Sequence, residues 1–353
     1  MLRYLSAGES HGKGLVAILE GMPVGLKVDP HKINQELKRR QSGFGRGERM
    51  QIENDRAEVL SGLKNGVTLG SPLALLIKNK DFGIDNLKKV ISPRPGHADL
   101  AGLLKYGLTD IREVLERASA RSTAATVGIG AICKMFLREF RIEIISRVIS
   151  IGGEEDKAAM QQKIIQAMSN KDTIGGIFEV VAKGVPVGLG SYVQPDRRLD
   201  SRLAKEIMSI PGIKGFEIGL GFGYAQNFGS EVHDAIYYAK GQGLPAGRQG
   251  YYRNTNNAGG IEGGISNGED IVLRACMKPI STLMNPLDSV NILTKKHSKA
   301  SIERSDICVV EAAGVVAESC CAYVLTDAFL EKFGGDNLLD IKKAYLQYKQ
   351  RIK

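Results

Sequence analysis

Two histidines in this sequence stand beside glycine-rich turns, where a side chain can reach a bound ligand. His11 lies in the segment GESHG at 8–12, and His97 lies in RPGHAD at 94–99. Pro-Gly is a turn signal, so His97 is expected at a loop tip or at the entry to a helix. Histidine titrates near neutral pH, so each side chain can serve as a general acid or base. A solvated histidine in a turn and a helix-capping loop are the purely structural alternatives.

The segment at 8–12 also matches G-x-S-x-G, the nucleophile elbow of serine hydrolases, with Ser10 at the nucleophile position. An elbow needs a strand before it and a helix after it. The residues that follow at 14–19, GLVAIL, read as a strand. This context argues against a serine hydrolase, which stays an alternative to be tested.

Arginines are concentrated in the segment RRQSGFGRGERM at 39–50. A guanidinium group binds phosphate or carboxylate through two parallel hydrogen bonds, and the glycines let the backbone fold tightly. Several of these arginines could therefore converge on one anion. A solvated basic loop is the alternative. RNA contact is another, although Phe44 is the only aromatic residue interleaved with the arginines.

A second arginine pair occurs in RASAR at 117–121, within a stretch that reads as helical. On a helix, Arg117 and Arg121 would share one face four residues apart, so they would repel unless an acid or a bound anion lay between them. Glu113 could supply that acid. Both an anion site and a local ion pair remain open for this segment.

Three further segments have compositions typical of ligand contact. NTNNAGGIEGGISNG at 254–268 is rich in glycine and asparagine, which suits a loop against a ligand, but it is neither a Walker A motif nor a Rossmann fingerprint. KPIST at 278–282 follows a strand end. RSD at 304–306 precedes a long apolar helix, so helix capping by Ser305 or Asp306 is the alternative there.

The elements that must position these residues read as paired strands and separate helices. Asp29-Pro30 is a helix start, and Asn65-Gly66 suits the tight turn of a hairpin over 57–78. Residues 109–138 read as one or two helices, and the small residues at 118–131 would let another backbone or a flat ligand approach closely. Further strands are predicted at 2–6, 14–20, 142–151, 177–183, 215–222 and 271–277, and further helices at 157–168, 200–208, 312–333 and 338–348. Paired strands favour an α+β fold with antiparallel sheets over a doubly wound fold.

The bulk composition of the chain is typical of a globular protein. Of its 353 residues, 43% are apolar and 25% are charged. No run approaches about 18 apolar residues and no signal peptide is visible, so no membrane span is expected. The net charge of +9 fits an anionic small ligand as well as nucleic acid, because the basic residues form no long tracts.

Five cysteines without a C-x-x-C pair indicate reduced thiols in a cytoplasmic protein. The segment GQGLPAGRQG at 241–250 cannot contribute to a core and is expected to be a mobile loop.

Taken together, these segments resemble the chorismate synthase family. The matching stretches run in the family's order from residue 8 to about residue 320: GESHG, RRQSGFGRGERM, RPGHADL, RASAR, NTNNAGGIEGGISNG, KPIST and RSDICVVEAA. Each one alone is a weak signal, whereas seven in order are highly specific.

Two features depart from the family pattern. RASAR usually continues with a glutamate but is followed here by Ser122, so a carboxylate that would balance Arg121 is missing at that position. The segment 241–250 looks like a variable insertion.

The resemblance implies a single domain over residues 1–353, with a helical layer between two antiparallel sheets, assembled as a cytoplasmic homotetramer. It implies the elimination of phosphate from 5-enolpyruvylshikimate 3-phosphate with reduced FMN (FMNH2) and no net redox change. The chain shows no large extra segment for a built-in reductase. An external flavin reductase is therefore expected, with NADPH as an indirect reductant. Neither nucleic acid nor a membrane is an expected partner.

The resemblance also implies roles for individual residues. His11 would be the general acid for the leaving phosphate with Ser10 in support, His97 would protonate or hydrogen-bond the reduced flavin, and Asp306 would lie near its central ring. The cofactor-binding positions would be Arg117, Ala118, Ser119, Pro211, Gly212, Gly263, Lys278, Pro279, Ile280, Ser281, Thr282 and Arg304, with Arg40 and Arg46 at positions linked to NADPH. The substrate would be bound by Arg46, Arg49, Arg121 and Arg304, together with Ser10 and His11.

Overall fold

The first part of the chain forms a four-stranded antiparallel sheet, here called sheet 1. The computed structural model describes residues 2–47, 54–239, 250–303 and 306–352. Sheet 1 contains β1 (Arg3–Ala7), β2 (Gly14–Glu20), β3 (Ala57–Ser61) and β6 (Leu73–Lys78), in the order β1-β2-β6-β3. Between β3 and β6, β4 (Leu63–Lys64) pairs with β5 (Val67–Thr68). The turn that joins them has φ 52° at Asn65 and 75° at Gly66, the left-handed backbone that the predicted Asn-Gly turn requires.

A second four-stranded antiparallel sheet, sheet 2, comes from the middle of the chain. It contains β7 (Glu143–Ile151), β8 (Gly176–Lys183), β9 (Ile213–Ile218) and β14 (Ile271–Met277), in the order β7-β8-β14-β9. The short strands form hairpins: β10 (Ile236–Ala239) with β11 (Gly250–Arg253), β12 (Ile261–Glu262) with β13 (Ile265–Ser266), and β15 (Asp288–Val290) with β16 (His297–Lys299). The strand predicted at 215–222 ends earlier, because Gly219 and Gly221 take positive φ and a 3-10 turn follows.

The helices agree closely with the sequence prediction. They are α1 (Pro30–Gln41), α2 (Asp99–Tyr106), α3 (Arg112–Ala118), α4 (Thr123–Arg138), α5 (Lys157–Ser169), α6 (Leu199–Met208), α7 (Gly229–Val232), α8 (Val310–Phe333) and α9 (Leu338–Arg351). The Asp29 carboxylate accepts a hydrogen bond of 2.9 Å from the His31 backbone N–H, which is the cap expected ahead of Pro30. His97 lies just before α2, which agrees with the expected helix entry, although the bounds of α2 and the short helix α7 were not predicted.

A layer of helices separates the two sheets. Helix α4 packs on β2 and β6 of sheet 1, α8 packs on β7 and β8 of sheet 2, and the two helices pack on each other. The fully buried rings of Phe136, Phe178 and Phe329 fill this interior. The arrangement confirms the expected α+β fold, in which a helical layer lies between two antiparallel sheets. The long helix α8 passes a test of length and hydropathy for a membrane span, but 89% of its most apolar window is buried inside the fold.

The small residues predicted to allow a close approach do so between α4 and α8. A Cβ added at Gly130 would lie 2.2 Å from the Ser319 Cβ and 2.5 Å from its Cα. Because one of these atoms belongs to the backbone, a larger residue at this position would force the two helices apart. The stretch at 118–131 therefore serves helix packing at Gly130.

Replacing Gly130 with alanine is expected to destabilise the fold by about 1–3 kcal/mol, as overpacking of a dense core typically does. Gly128→Ala is the matched control on the same helix, where the new Cβ would meet the end of the Leu75 side chain at 3.1 Å. Both variants gain about 1 kcal/mol of helix propensity, so their difference isolates the helix contact. Urea denaturation followed by circular dichroism measures it, and equal midpoints for the two variants would contradict the packing argument.

Candidate functional site

The glycine turn at 8–12 joins β1 to β2 and holds His11 against a buried glutamate on α3. The His11 Nδ1 lies 2.9 Å from the Glu116 Oε1, and the His11 backbone N–H donates to the Glu116 Oε2 at 2.7 Å. Only 18% of the His11 side chain is exposed, so the histidine is not the solvated turn residue of the structural alternative. Burial alone would raise the pKa of Glu116, but the hydrogen bonds from His11 and the charges of His11 and Arg112 hold it below its ordinary value.

The backbone around Ser10 does not have the form of a hydrolase elbow. The turn is followed by the strand β2 rather than by a helix, and Ser10 is only 3% exposed. Its backbone N–H donates to the Glu116 carbonyl, and its hydroxyl accepts a hydrogen bond of 3.3 Å from the Ser119 Oγ. Ser10 therefore joins the turn to the end of α3, and the serine hydrolase interpretation is not supported.

A buried arginine cluster, formed by Arg40 and Arg121 around Asp55, lies beside this turn. The Arg121 Nη1 donates to both Asp55 carboxylate oxygens, at 2.6 and 2.8 Å, and the Arg40 Nη1 lies 3.6 Å from Asp55. The Arg40 Nε and Nη2 donate to the Thr123 Oγ1 and the Ala120 carbonyl, each at 2.9 Å. Burial lowers the pKa of Arg40 to about 10, with Asp55 opposing that shift and Arg121 adding to it.

Asn79 connects the buried arginine cluster to the histidine turn. Its Oδ1 accepts a hydrogen bond of 2.9 Å from the Arg121 Nε. Its Nδ2 donates to the backbone carbonyls of Glu9, Ser10 and Gly12. One amide side chain therefore fixes the position of His11 relative to Arg121, although the two residues lie in separate segments.

Arg46 lies beside Asp306, a contact that the sequence analysis did not predict. The Arg46 Nη1 lies 3.5 Å from the Asp306 Oδ2, and the Gly47 backbone N–H donates to Asp306 at 2.5 Å. The Ile307 N–H also donates to the Gly45 carbonyl, so the two segments run side by side. Asp306 does not cap α8, because that helix begins at residue 310. Arg49 and Arg304 lie outside the described residues, as do residues 241–249 of the predicted loop.

His97 belongs to a separate hydrogen-bonded cluster at the start of α2. Its Nδ1 lies against the carboxylate of Asp99, which is fully buried. Arg94 donates to both oxygens of Asp99 and, through its Nη1, to the Thr282 Oγ1 at 2.8 Å. Burial alone would raise the pKa of Asp99, but the hydrogen bonds from His97 and Arg94 hold it well below its ordinary value.

The segment 278–282 and the turn at 211–212 meet next to His97's loop. The Lys278 Nζ donates to the Ser281 Oγ at 2.6 Å, and the Lys278 backbone N–H donates to the Gly212 carbonyl. Burial, together with the positive charges of Lys214 and Arg94, lowers the pKa of Lys278. The other proposed cofactor positions here are neighbours in the chain. Pro211 precedes Gly212 in the turn, and Pro279 and Ile280 continue the segment towards Thr282. The Ile280 carbonyl accepts a hydrogen bond from the Thr173 hydroxyl. Positive charge is therefore gathered beside His97.

Among the described residues, the hydrogen bonds of the asparagine-glycine loop, which contains Gly263, do not involve His11 or His97. Asp234 accepts hydrogen bonds from the side chain of Thr255 and from the backbone N–H groups of Asn257 and Ala258. Gly263 itself lies at the tip between β12 and β13, with φ 58° and open space around it. These contacts account for the loop's shape. They leave the expected cofactor role of Gly263 a prediction.

Comparison with known proteins identifies the family. The family model described as chorismate synthase matches residues 2–330 of this chain. The chain belongs to the chorismate synthase family. It is 53% identical to the chorismate synthase of Thermoanaerobacter pseudethanolicus over 355 residues, covering 100% of this chain and 99% of the relative. It is 48% identical to that of Aquifex aeolicus over 400 residues, covering 100% and 98%. A crystal structure of a chorismate synthase superposes with a TM-score of 0.81 at 42% identity, covering 100% of this chain and 98% of the other.

The structure corrects the expected charge balance of the chorismate synthase RASAR element. The helix breaks at Ser119, which has ψ 141°, so Arg117 and Arg121 do not share a helix. Arg117 donates to the Ser6 and Gly8 carbonyls rather than pairing with Glu113. Arg121 pairs with Asp55, so the carboxylate missing at position 122 comes from another segment. The Ser122 hydroxyl donates instead to the Ser119 carbonyl at 3.0 Å. Ala118, the last residue of α3, precedes this break.

Sequence reasoning missed the polar residues that hold the family's motifs in place. They are Asp55, Asn79, Arg94, Asp99 and Glu116. Glu116 stands next to RASAR and Asp99 closes RPGHAD, so their positions within matched segments were a usable signal. Asp55 and Asn79 carried no signal, because each lies between predicted elements and meets its partners only in the folded chain.

Proposed function

We propose that this protein is a lyase that eliminates phosphate from 5-enolpyruvylshikimate 3-phosphate to form chorismate. In this reaction the bond from carbon 3 to the phosphate oxygen breaks, a proton leaves carbon 6, and a conjugated diene forms. Phosphate gains negative charge as it departs, so a general acid beside it and fixed cations around it would lower the barrier. Membership in the family supports this choice of substrate and product.

Two buried guanidinium donors, one from Arg40 in the buried arginine cluster and one from Arg46, carry the substrate proposal. The Arg40 Nη1 and the Arg46 Nε are buried and have no hydrogen-bond acceptor among the described residues. Buried guanidinium donors without an acceptor are costly, so they fit a site that a phosphorylated dicarboxylate completes. Arg121 adds fixed positive charge, and Arg49 and Arg304, which are not described, are proposed to complete the anion site.

His11 is proposed as the general acid for the departing phosphate, with Ser10 holding its loop. Glu116 holds the ring, and Asn79 ties the turn that carries His11 to Arg121 of the arginine cluster. A protonated imidazole placed there would donate its proton to the phosphate oxygen as the carbon–oxygen bond breaks. The fixed carboxylate of Glu116 holds the ring in one orientation, which suits a role in directed proton transfer.

Reduced FMN is the proposed cofactor, and the residues around His97 fit an anionic flavin. Lys278 and Arg94 supply positive charge near His97. The backbone of the turns at 95–96 and 211–212 lies beside these side chains. When bound, reduced FMN would lend electron density to the substrate and accept the proton from carbon 6, with no net redox change. His97 would hydrogen-bond the flavin, and Asp306 would lie near its ring. The proposed contact positions are Arg117, Ala118, Ser119, Pro211, Gly212, Gly263, Lys278, Pro279, Ile280, Ser281, Thr282 and Arg304.

Family membership also supports proposals beyond the site. These are a single domain, a homotetramer in the cytoplasm, an external flavin reductase and NADPH as the indirect source of electrons. Arg40 and Arg46 are the positions linked to NADPH. The burial of Arg40 against Thr123 and Asp55 favours a role for that side chain in ordering the site. Sedimentation of the purified protein would test the tetramer.

Turnover is expected with reduced FMN under anaerobic conditions and essentially none with oxidised FMN. The hydrogen on carbon 6 is not acidic enough for a simple base, so an electron-rich flavin is needed. Phosphate release and chorismate absorbance report the reaction, with oxidised FMN in the matched sample. Equal rates in the two flavin states would refute the cofactor proposal, and no turnover in either state would refute the substrate proposal. A fluorophosphonate probe that labels Ser10 would favour the serine hydrolase.

A further inference from the structure

Glu116 faces two hydrogen-bond donors of the same residue. The His11 backbone N–H lies 2.7 Å from the Glu116 Oε2, and the ring Nδ1 lies 2.9 Å from Oε1. A backbone N–H can only donate, so one carboxylate oxygen is committed to it. The other oxygen can only accept, because an ionised carboxylate has no proton to give. The ring nitrogen beside it must therefore carry a hydrogen.

The ionisation state of the Glu116 carboxyl group is fixed by its surroundings. Its side chain is 1% exposed, and the Arg112 Nη1 lies 3.7 Å from its Oε1. Arg112 in turn donates to Glu303 at 2.9 Å. Hydrogen bonds from His11 and the charge of Arg112 hold the pKa of Glu116 below its ordinary value, against the opposing and largest effect of burial. Glu116 is therefore an anion in the folded protein.

The geometry points to Glu116 as the positioning residue that fixes the tautomer and direction of His11. With Nδ1–H donated to Glu116, the other ring nitrogen, Nε2, is the one presented to a ligand. Nε2 lies 3.9 Å from Asp81, beyond hydrogen-bond distance. This inference rests on the proposed function only for its effect on turnover, since the tautomer is a property of the protein itself.

Glu116→Gln is a stringent test, because glutamine keeps the shape of the side chain but offers only one accepting oxygen. That oxygen can serve the backbone N–H or the ring N–H, but not both. If it serves the backbone, the amide NH2 faces Nδ1 and forces the ring proton onto Nε2. In serine proteases the corresponding acid-to-amide change leaves the geometry intact and gives the wrong histidine tautomer. The control is Glu113→Gln, an exposed glutamate three residues earlier on α3.

We expect Glu116→Gln to lower kcat by at least about 100-fold while KM changes by less than about threefold, because the amide NH2 opposes the hydrogen that the ring must keep on Nδ1 when Nε2 gives up its proton. Glu113→Gln should match the wild type in both constants. Glu116→Asp keeps two accepting oxygens and should recover part of the lost kcat. Nitrogen-15 NMR of histidine-labelled protein, assigned with a His11→Gln sample, should show the neutral ring protonated on Nδ1 in the wild type and on Nε2 in Glu116→Gln.

Several results would overturn the inference. One is a wild-type ring that carries its proton on Nε2, which can be read even if Glu116→Gln fails to fold. Others are a fall in kcat without a change of tautomer, or a change of tautomer with normal kcat. A wild-type protein that shows the Nδ1 tautomer but no turnover would refute the proposed function and leave the pairing of Glu116 with His11 intact.

Discussion

His11→Ala and His97→Ala are each expected to lower turnover about 100- to 10,000-fold, the usual contribution of a placed general acid. Both rings are held by buried carboxylates, His11 by Glu116 and His97 by Asp99. The proposed roles concern different molecules, since His11 would act on the leaving phosphate and His97 on the flavin. Steady-state turnover with reduced FMN measures the loss. His31→Ala is the control, because that histidine is exposed on α1.

The two histidine variants should differ in the spectrum of the bound flavin. His97→Ala should alter the absorbance of bound reduced FMN, because a hydrogen bond to the ring is lost. His11→Ala should leave that spectrum nearly unchanged when substrate is absent. Near-normal turnover in both variants would show that the site is wrongly assigned. The opposite pattern of spectra would show that the two roles are exchanged.

Glu318→Gln is expected to destabilise the fold by about 3 kcal/mol, near the lower end of what removing one partner from a buried ion pair costs. Glu318 is fully buried on α8 and accepts hydrogen bonds from Arg39, Lys134 and Ser146. The variant leaves Lys134 buried with less compensating charge. Lys134 keeps its ion pair with Glu36, which limits the loss. Denaturant titration measures the effect, with Glu311→Gln, an exposed glutamate on the same helix, as the control.

This stabilisation should also depend on pH. Burial alone would raise the pKa of Glu318, but the hydrogen bond from Arg39 and the charge of Lys134 hold it below its ordinary value. A carboxyl group with a lower pKa in the folded state stabilises the fold fully above its unfolded pKa, about 4.3 for glutamate, and loses that contribution as the pH falls. The gap in unfolding free energy between wild type and Glu318→Gln should therefore shrink below about pH 4. A constant gap from pH 7 to pH 3 would contradict the ion-pair explanation.

The buried network around Glu318 and the cluster around Asp55 have different neighbours. Glu318 ties α1, α4 and β7 to α8 through side chains within the helical layer. Asp55 ties Arg40 and Arg121 together beside the turn that carries His11. The adjacent arginines Arg39 and Arg40 therefore belong to two different clusters. A change at Arg39 is expected to affect stability, and a change at Arg40 is expected to affect the order of the anion site.

Local signals in the sequence predicted most of the secondary structure. The cap at Asp29, the Asn65-Gly66 turn and the strands at 14–20 and 271–277 all occur where they were predicted. These features depend on residues close together in the chain, so local rules were sufficient. The bounds of the helix over 99–106 were not predicted, although a helix entry was one of the two expectations for His97. That helix is only eight residues long, with little periodic pattern to reveal it.

The sequence by itself determined the family, the α+β class and which turns carry histidine or arginine, because those are properties of residue order. Only the tertiary structure decided which charges meet. Glu116 reaches His11 across 105 positions, Asp55 reaches Arg121 across 66, and Arg94 reaches Thr282 across 188. No local propensity encodes such pairs, since they depend on how two sheets and a helical layer bring distant segments together. Burial then makes each pair specific, because a charge removed from water needs its partner.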